Sequence, residues 1–244
     1  MIIKKIKDNF FHFFERIIFN LVPREFRKKH PSLLSELLYN DEIKDCYEEF
    51  KPELIKSLVF KNFFDIRKYA IKKALENDKE EIYAFLEFGV DQGDSANYFS
   101  SYLKKLTIFD AFLGLREDWI GQATASGLVG KTNTNLNRKI PKLNKNIILV
   151  EGWVQDTLKD YLEKNNTKIN FVHMDLDTYE SSKFTLETIK PYLCKNAIII
   201  FDQMINFSGW RQGEYKALKE IFKANEYNFK AFNVVGKQVV IQIN

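Results

Sequence analysis

The sequence has only two cysteines, Cys46 and Cys194, in 244 residues. They stand far apart and outside any CxxC pair, which excludes a disulfide framework and a thiolate zinc site and fits a reducing cytoplasm. No stretch reaches the roughly 18 consecutive apolar residues of a membrane span. The apolar N-terminal run is broken by Asp8, Glu15 and Arg16, and the same charges argue against a cleaved signal peptide. A strong excess of one charge is missing too. The 37 basic residues stand against 33 acidic ones, and the net charge of +4 is too weak a bias for a nucleic-acid surface. Glycine is absent from residues 1–80, and the chain has no internal repeat or low-complexity tract. What is present, 45% hydrophobic and 29% charged residues, suffices for one large domain with an appendage.

Residues 1–80 read as a helical N-terminal extension. Apolar residues recur at helical spacing (Ile3, Ile6, Phe10, Phe14, Ile17, Leu21), punctuated by Pro23, Pro31 and Pro52, and a second run covers 60–77. Beyond the charged linker 78–81 the pattern changes, and 81–244 reads as the catalytic domain. Short apolar runs at 82–88, 107–109, 147–150, 170–174 and 197–201 alternate with amphipathic helical segments near 94–104, 156–164, 180–193 and 213–224. That alternation predicts an α/β fold, a mostly parallel sheet with helices on both faces. The last two runs, 229–235 and 238–243, flank Gly236-Lys237 and predict an antiparallel edge hairpin, giving seven strands in all.

In such sheets ligands bind beyond the carboxyl ends of the strands. The first strand-to-helix turn is Glu87-Phe88-Gly89-Val90-Asp91-Gln92-Gly93-Asp94-Ser95. A dinucleotide fingerprint starting at Gly89 fails, because Asp91 and Asp94 occupy its other glycine positions. A nicotinamide oxidoreductase is thereby disfavoured. Glu87 instead suits a cationic ligand; an ordinary turn capped by Asp94 or Ser95 is the plainer alternative. The second strand ends at Asp110, at the spacing from Glu87 where an acid meets ribose hydroxyls. The third ends in Glu151-Gly152-Trp153-Val154-Gln155-Asp156, where glycine allows close approach and a polar tip can reach a base edge; a Trp153 packed under the sheet is the alternative.

The fourth and fifth strands end in Asp175-Leu176-Asp177 and Asp202-Gln203, so oxygen ligands from neighbouring strand ends converge, as hard divalent cations require. If the fourth strand continued, Asp175 and Asp177 would share a face. His173, among apolar neighbours, reads more simply as a hydrogen-bonded core residue than as a base.

Taken together, Leu86-Glu87-Phe88-Gly89, the run Phe109 to Trp119, Gly152-Trp153, the run His173 to Tyr179, Phe201-Asp202, Gly209-Trp210 and Gly213-Glu214-Tyr215 resemble the macrocin O-methyltransferase family. The resemblance covers about residues 85–243. It implies a Rossmann-like class I fold that methylates sugar hydroxyls with S-adenosylmethionine and Mg2+ or another divalent cation. The segment Gly152 to Asp156 also resembles the adenine-binding run of catechol O-methyltransferases, which implies adenine contacts at Val154 and Gln155. The same resemblance implies cofactor contacts at Glu87, Gly89, Val90, Ser95 and Asp110. Phe88, Gly93, Ala111, Phe112, Gly152, Trp153 and Asp175 complete the expected cofactor set. In the catechol enzymes an aspartate after the fourth strand and an Asp-Asn pair after the fifth hold the metal. Asp175 and Asp202 match the aspartates and Gln203 replaces the asparagine, where macrocin enzymes usually carry an acid. Asp175 is the expected shared ligand and base, with Asp177 and His173 as the alternates.

Other readings are a methyltransferase-fold binding protein without turnover, which Gln203 keeps open, and a methyltransferase acting on a non-sugar molecule. The stretch Gly127 to Thr132 fails as a phosphate-binding loop because Ala125 stands where glycine is needed. Residues 113–145 lack a clear strand and are expected to close over the acceptor. The apolar N-terminal helix is expected to pack on its own domain, to pair subunits in a homodimer or higher homo-oligomer, or to lie on a membrane surface. The expected partner is a small-molecule or glycan acceptor, with no nucleic acid.

Overall fold

A computed structural model of the protein describes residues 33–120 and 139–244. The N-terminal helix expected before residue 22, the look-alike loop at 127–132 and the middle of the 113–145 connection lie outside the described residues. Chain contacts divide at Asn40/Asp41, and the sheet with its strand tips belongs to the second unit, Asp41–Asn244.

In chain order the elements are α1 (Leu33–Leu54), β1 (Leu58–Phe60), α2 (Phe63–Asn77), β2 (Ala84–Phe88), α3 (Asp94–Ser100), β3 (Leu106–Asp110), β4 (Ile147–Glu151), α4 (Val154–Asn165), β5 (Ile169–Met174), α5 (Tyr179–Ile189), β6 (Leu193–Phe201), α6 (Glu214–Ile221), β7 (Tyr227–Asn233) and β8 (Val239–Ile243). Among the described residues the sheet has eight strands in the order β1-β7-β8-β6-β5-β2-β3-β4. Its pairs are parallel except those of β8 with β6 and β7. The expected hairpin is therefore present, but it is not the edge. Leu58–Phe60, read as part of a helical region, pairs in parallel with Ala231–Asn233 and adds an eighth strand.

Local chemistry explains how α2 comes to lie beside the sheet. Asn62 caps the helix by accepting from Phe64 N at 2.7 Å. At its other end the buried Asp78 accepts from Ile82 N at 3.1 Å and Tyr83 N at 2.8 Å, which turns the chain into β2.

Period-2 alternation then divides the core into two faces. Leu86, Phe88, Val172, Met174, Ile199 and Phe201 pack on one side with Leu158, Leu186, Leu218 and Trp210. Phe85, Phe171, Ile198 and Ile200 pack on the other with Ile66, Ala70, Ala96 and Phe99, which belong to α2 and α3. Glu87 shares the parity of Phe85, and His173 that of Phe171, so both point to the second face, and they stand opposite each other in the β2–β5 register.

Candidate active site

The tips of five parallel strands, β2 to β6, are tied to one another by backbone hydrogen bonds. Gly89 N donates to Phe109 O at 3.0 Å, Asp175 N to Phe88 O at 2.8 Å, Gly152 N to Asp110 O at 2.9 Å and Asp202 N to Met174 O at 2.9 Å. Gly89 lies so close to the next tip that an added Cβ would sit 1.7 Å from Asp175 O, and its φ is +83°. Only glycine meets both conditions. Above these tips opens a cavity of about 300 Å³.

The cavity is lined by Gly89, Val90, Asp110, Ala111, Gly152, Trp153, Val154 and Gln155, all expected cofactor contacts. Asp110 organises the turn: its Oδ2 accepts from Val90 N at 2.7 Å and Asp91 N at 3.2 Å, and its Oδ1 from Phe112 N at 2.6 Å. Burial raises its pKa against these three bonds. Trp153 is half-buried on the cavity wall rather than packed under the sheet. Glu117 fastens the segment after β3 across two helices, accepting from Thr178 Oγ1 at 2.6 Å, Ser181 Oγ at 2.8 Å and Gln155 Nε2 at 3.2 Å. Gln155 is also met by Arg116 Nη1 at 3.3 Å. Of the other expected cofactor residues, Glu87, Phe88, Gly93, Ser95 and Phe112 lie outside this lining. Ser95 lines a neighbouring cavity together with Val90, Asp91, Arg67 and Asp175.

The same cavity is lined by Asp175, Asp177 and Gln203. Strand β5 stops at Met174, and Asp177 has a φ of +62°, so a tight turn brings the two acids together rather than strand alternation. Ligand atoms of His173, Asp175 and Asp202 all lie within 4.8 Å of one another. Asp202 is heavily engaged. Its Oδ1 accepts from Arg67 Nη2 at 3.0 Å and from Gln238 Nε2, and its Oδ2 from Gln203 Nε2 at 3.0 Å. Below the tips the fully buried His173 donates or accepts through Nδ1 at 2.9 Å from Glu87 Oε1, while its Nε2 stands 3.5 Å from Asp202 Oδ1.

The charges in this corner govern one another. Burial opposes a charge on His173, but Asp202 and Glu87 outweigh it and raise its pKa to about 9. Burial is also outweighed at Asp202, where His173 and Arg67 hold the carboxyl below its ordinary range. Asp175 is pushed up to about 7, first by burial and then by the Asp202 charge. Asp177 and Glu214 are raised well above their usual values, by burial and then by Asp175. Carboxyls that repel one another at a strand edge are the arrangement that a divalent cation relieves. The donor set fits one: Gln203 Oε1 and Glu214 Oε1 are buried without a partner among the described residues, while Glu214 Oε2 accepts from Gln203 N at 3.0 Å.

Arg67, Glu117 and Glu214 escaped sequence reasoning. Glu214 stands in the Gly-Glu-Tyr motif, a signal that was there to use. Arg67 lies 135 residues from Asp202 and carried none.

The family model described as "Methyltransferase domain" matches residues 86–204. No curated protein matches the chain in sequence. Among solved structures it is similar to the calicheamicin methyltransferase CalS11, with a TM-score of 0.59 and 20% identity over 86% of this chain and 89% of that one. A second CalS11 structure, described as the apo form of a TDP-rhamnose 3'-O-methyltransferase, gives a TM-score of 0.53 and 21% identity over 86% and 91%. The O-methyltransferase NovP gives 0.53 and 15% over 74% and 79%. Residues 86–204, which supply every strand tip of the site, thus match a methyltransferase domain, and the fold around them is that of class I methyltransferases.

Proposed function

We propose that this chain transfers a methyl group from S-adenosylmethionine to a hydroxyl of a sugar or related polar acceptor, assisted by Mg2+ or another divalent cation. One observation carries the reading: a single cavity is lined both by Asp110, Gly152 and Gln155 and by Asp175, Asp177 and Gln203. The sugar acceptor draws support from CalS11, described as a TDP-rhamnose methyltransferase.

Asp110 takes the ribose hydroxyls, Trp153, Val154 and Gln155 hold the adenine, and Gly89 lets the backbone approach the methionine portion. Asp175, Asp202 and Gln203 would hold a divalent cation, which when bound would supply a Lewis acid that lowers the pKa of the acceptor hydroxyl. Asp175 receives the hydroxyl proton, with Asp177 the second acid facing the same space. The acceptor oxygen bonds to the methyl carbon as the carbon–sulfur bond breaks, and S-adenosylhomocysteine leaves with the sulfur electron pair. Glu87 bears on Asp202 from beneath, through His173. Residues 81–244 form the catalytic domain, and the preceding extension contributes Arg67 to it.

A cofactor-binding protein without turnover is the second reading, favoured by the missing carboxylate at Gln203. Calorimetry separates the possibilities. Wild type should bind S-adenosylmethionine and not NAD, and Asp110→Ala should weaken binding about tenfold or more, as loss of charge-assisted hydrogen bonds does. Mass spectrometry of polar hydroxylated acceptors after incubation with labelled cofactor then reads turnover. Binding without transfer to any acceptor favours the second reading, and tight NAD binding sinks both.

A further inference from the structure

The cavity wall that accompanies Asp177 and Gln203 includes Trp119, to which the methyl-transfer reaction assigns no role. Its indole Nε1 is buried and has no hydrogen-bond partner among the described residues. Buried donors are almost always satisfied, so a donor left open on a cavity wall is ready for an acceptor atom of a ligand. Phe207 meets the Trp119 ring at 6.4 Å with an interplanar angle of 63°. Lys237 Nζ lies 5.4 Å from the Trp119 centroid and 5.1 Å from that of Phe207. The Lys237 backbone is held in place, because its carbonyl accepts from Met204 N at 3.0 Å and Ile205 N at 3.2 Å, just beyond Asp202-Gln203. Its charge also acts on Asp177. Arg116, the cation on the cavity wall itself, is by contrast engaged with Asp156 at 3.5 Å and Gln155 at 3.3 Å.

An aromatic face presents apolar area to the C–H surface of a hydroxylated ring, an indole N–H gives such a ring a donor, and a cation at the rim selects negative charge. We propose that Trp119 on the cavity wall, with Lys237 and the buried Phe207 packed against its ring, forms the acceptor subsite, and that it takes a hydroxylated ring bearing an anionic group, a phosphate or a carboxylate. The assignment rests on the methyl-transfer reading. It places the ring beside Asp177 and Gln203, with the anionic substituent toward the β7–β8 turn.

The test titrates the full chain, saturated with S-adenosylhomocysteine, with glucose 1-phosphate, glucuronic acid and glucose. Wild type should bind at least one charged probe about tenfold more tightly than glucose, and which of the two it prefers tells phosphate from carboxylate. Lys237→Met should abolish that preference while leaving S-adenosylhomocysteine affinity unchanged, and Lys237→Arg should restore it. Trp119→Phe keeps a ring and removes the donor, and should weaken every probe by about three- to tenfold. Equal binding of charged and neutral probes to wild type, or a preference that survives Lys237→Met, would overturn the subsite while cofactor binding still stands. If wild type fails to bind S-adenosylhomocysteine, the methyl-transfer reading falls and the subsite falls with it.

Discussion

Gly89 joins the tips of β2 and β5, since the backbone of Asp175 occupies the space where its side chain would begin. Gly89→Ala forces both a clash with backbone and a left-handed alanine, and should cost at least about 2 kcal/mol in a denaturant titration. A variant as stable as wild type would show that the tips are less tightly joined than the structure has them. Gln203 is the residue at which this chain departs from the family it resembles. Replacing a neutral amide oxygen with a carboxylate raises the charge offered to a cation. Gln203→Asp should therefore tighten Mg2+ binding about tenfold, equivalent to about 1.4 kcal/mol, and an unchanged affinity would remove Gln203 from the ligand set. Much of this was legible from residue types. Asp110, Asp175 and Asp202 are acids at strand ends, and the chain pattern marks strand ends well. The side-chain partners were less accessible: Arg67 meets Asp202 across 135 residues of sequence, and nothing local announces such a pair.

At the scale of elements, strand alternation settles what composition leaves open. Glu87 reads as a ligand-facing acid because it precedes the turn, yet its parity with Phe85 sends it to the α2–α3 face, against His173. Counting faces on β2 and β5 together would have shown the pair. Strand β1 was hidden for a different reason. Three residues are too few to set a period, and Leu58–Phe60 become a strand through pairing with β7. Helix α1 is tied to the segment before α6 by ion pairs, with Arg211 Nη2 at 2.9 Å from Asp45 Oδ1 and 3.1 Å from Glu49 Oε2. The Arg211 hydrogen bond holds Asp45 below its ordinary pKa, and the Tyr215 hydroxyl, followed by Arg211, does the same for Glu49. A depressed carboxyl contributes stability above its unfolded pKa and loses it as pH falls through the folded one. Asp45→Asn should accordingly cost less than about 1 kcal/mol at neutral pH, as half-exposed pairs do. The cost should begin to shrink below about pH 3.8, the unfolded value, and vanish only below the depressed folded-state pKa, where the aspartate is protonated in both states. A cost that persists at lower pH would assign the effect to packing instead.

Across the whole molecule, a sheet of eight strands among the described residues gathers Gly89, Asp110 and Gly152 from the ends of β2, β3 and β4 into one cavity with Asp175 and Asp177 after β5 and Gln203 after β6. The order of elements was readable because period-2 and period-3.6 runs alternate cleanly after residue 81. How the strands order themselves in space was not, since long-range pairing leaves no local mark. Residues 1–22 carry apolar side chains at helical spacing, and we propose that they pair subunits. Sedimentation should give a dimer for the full chain and a monomer after their deletion, while a full-length monomer would discard the idea. The central claim is that a methyl donor and a divalent cation meet over the tips of β5 and β6. A crystal structure with S-adenosylhomocysteine and Mn2+, the ion located by anomalous scattering, tests it most directly. The account predicts manganese touching both Asp175 and Asp202, with the cofactor sulfur beside it and the ribose on Asp110. Manganese elsewhere, or a cofactor away from Asp110, would contradict it.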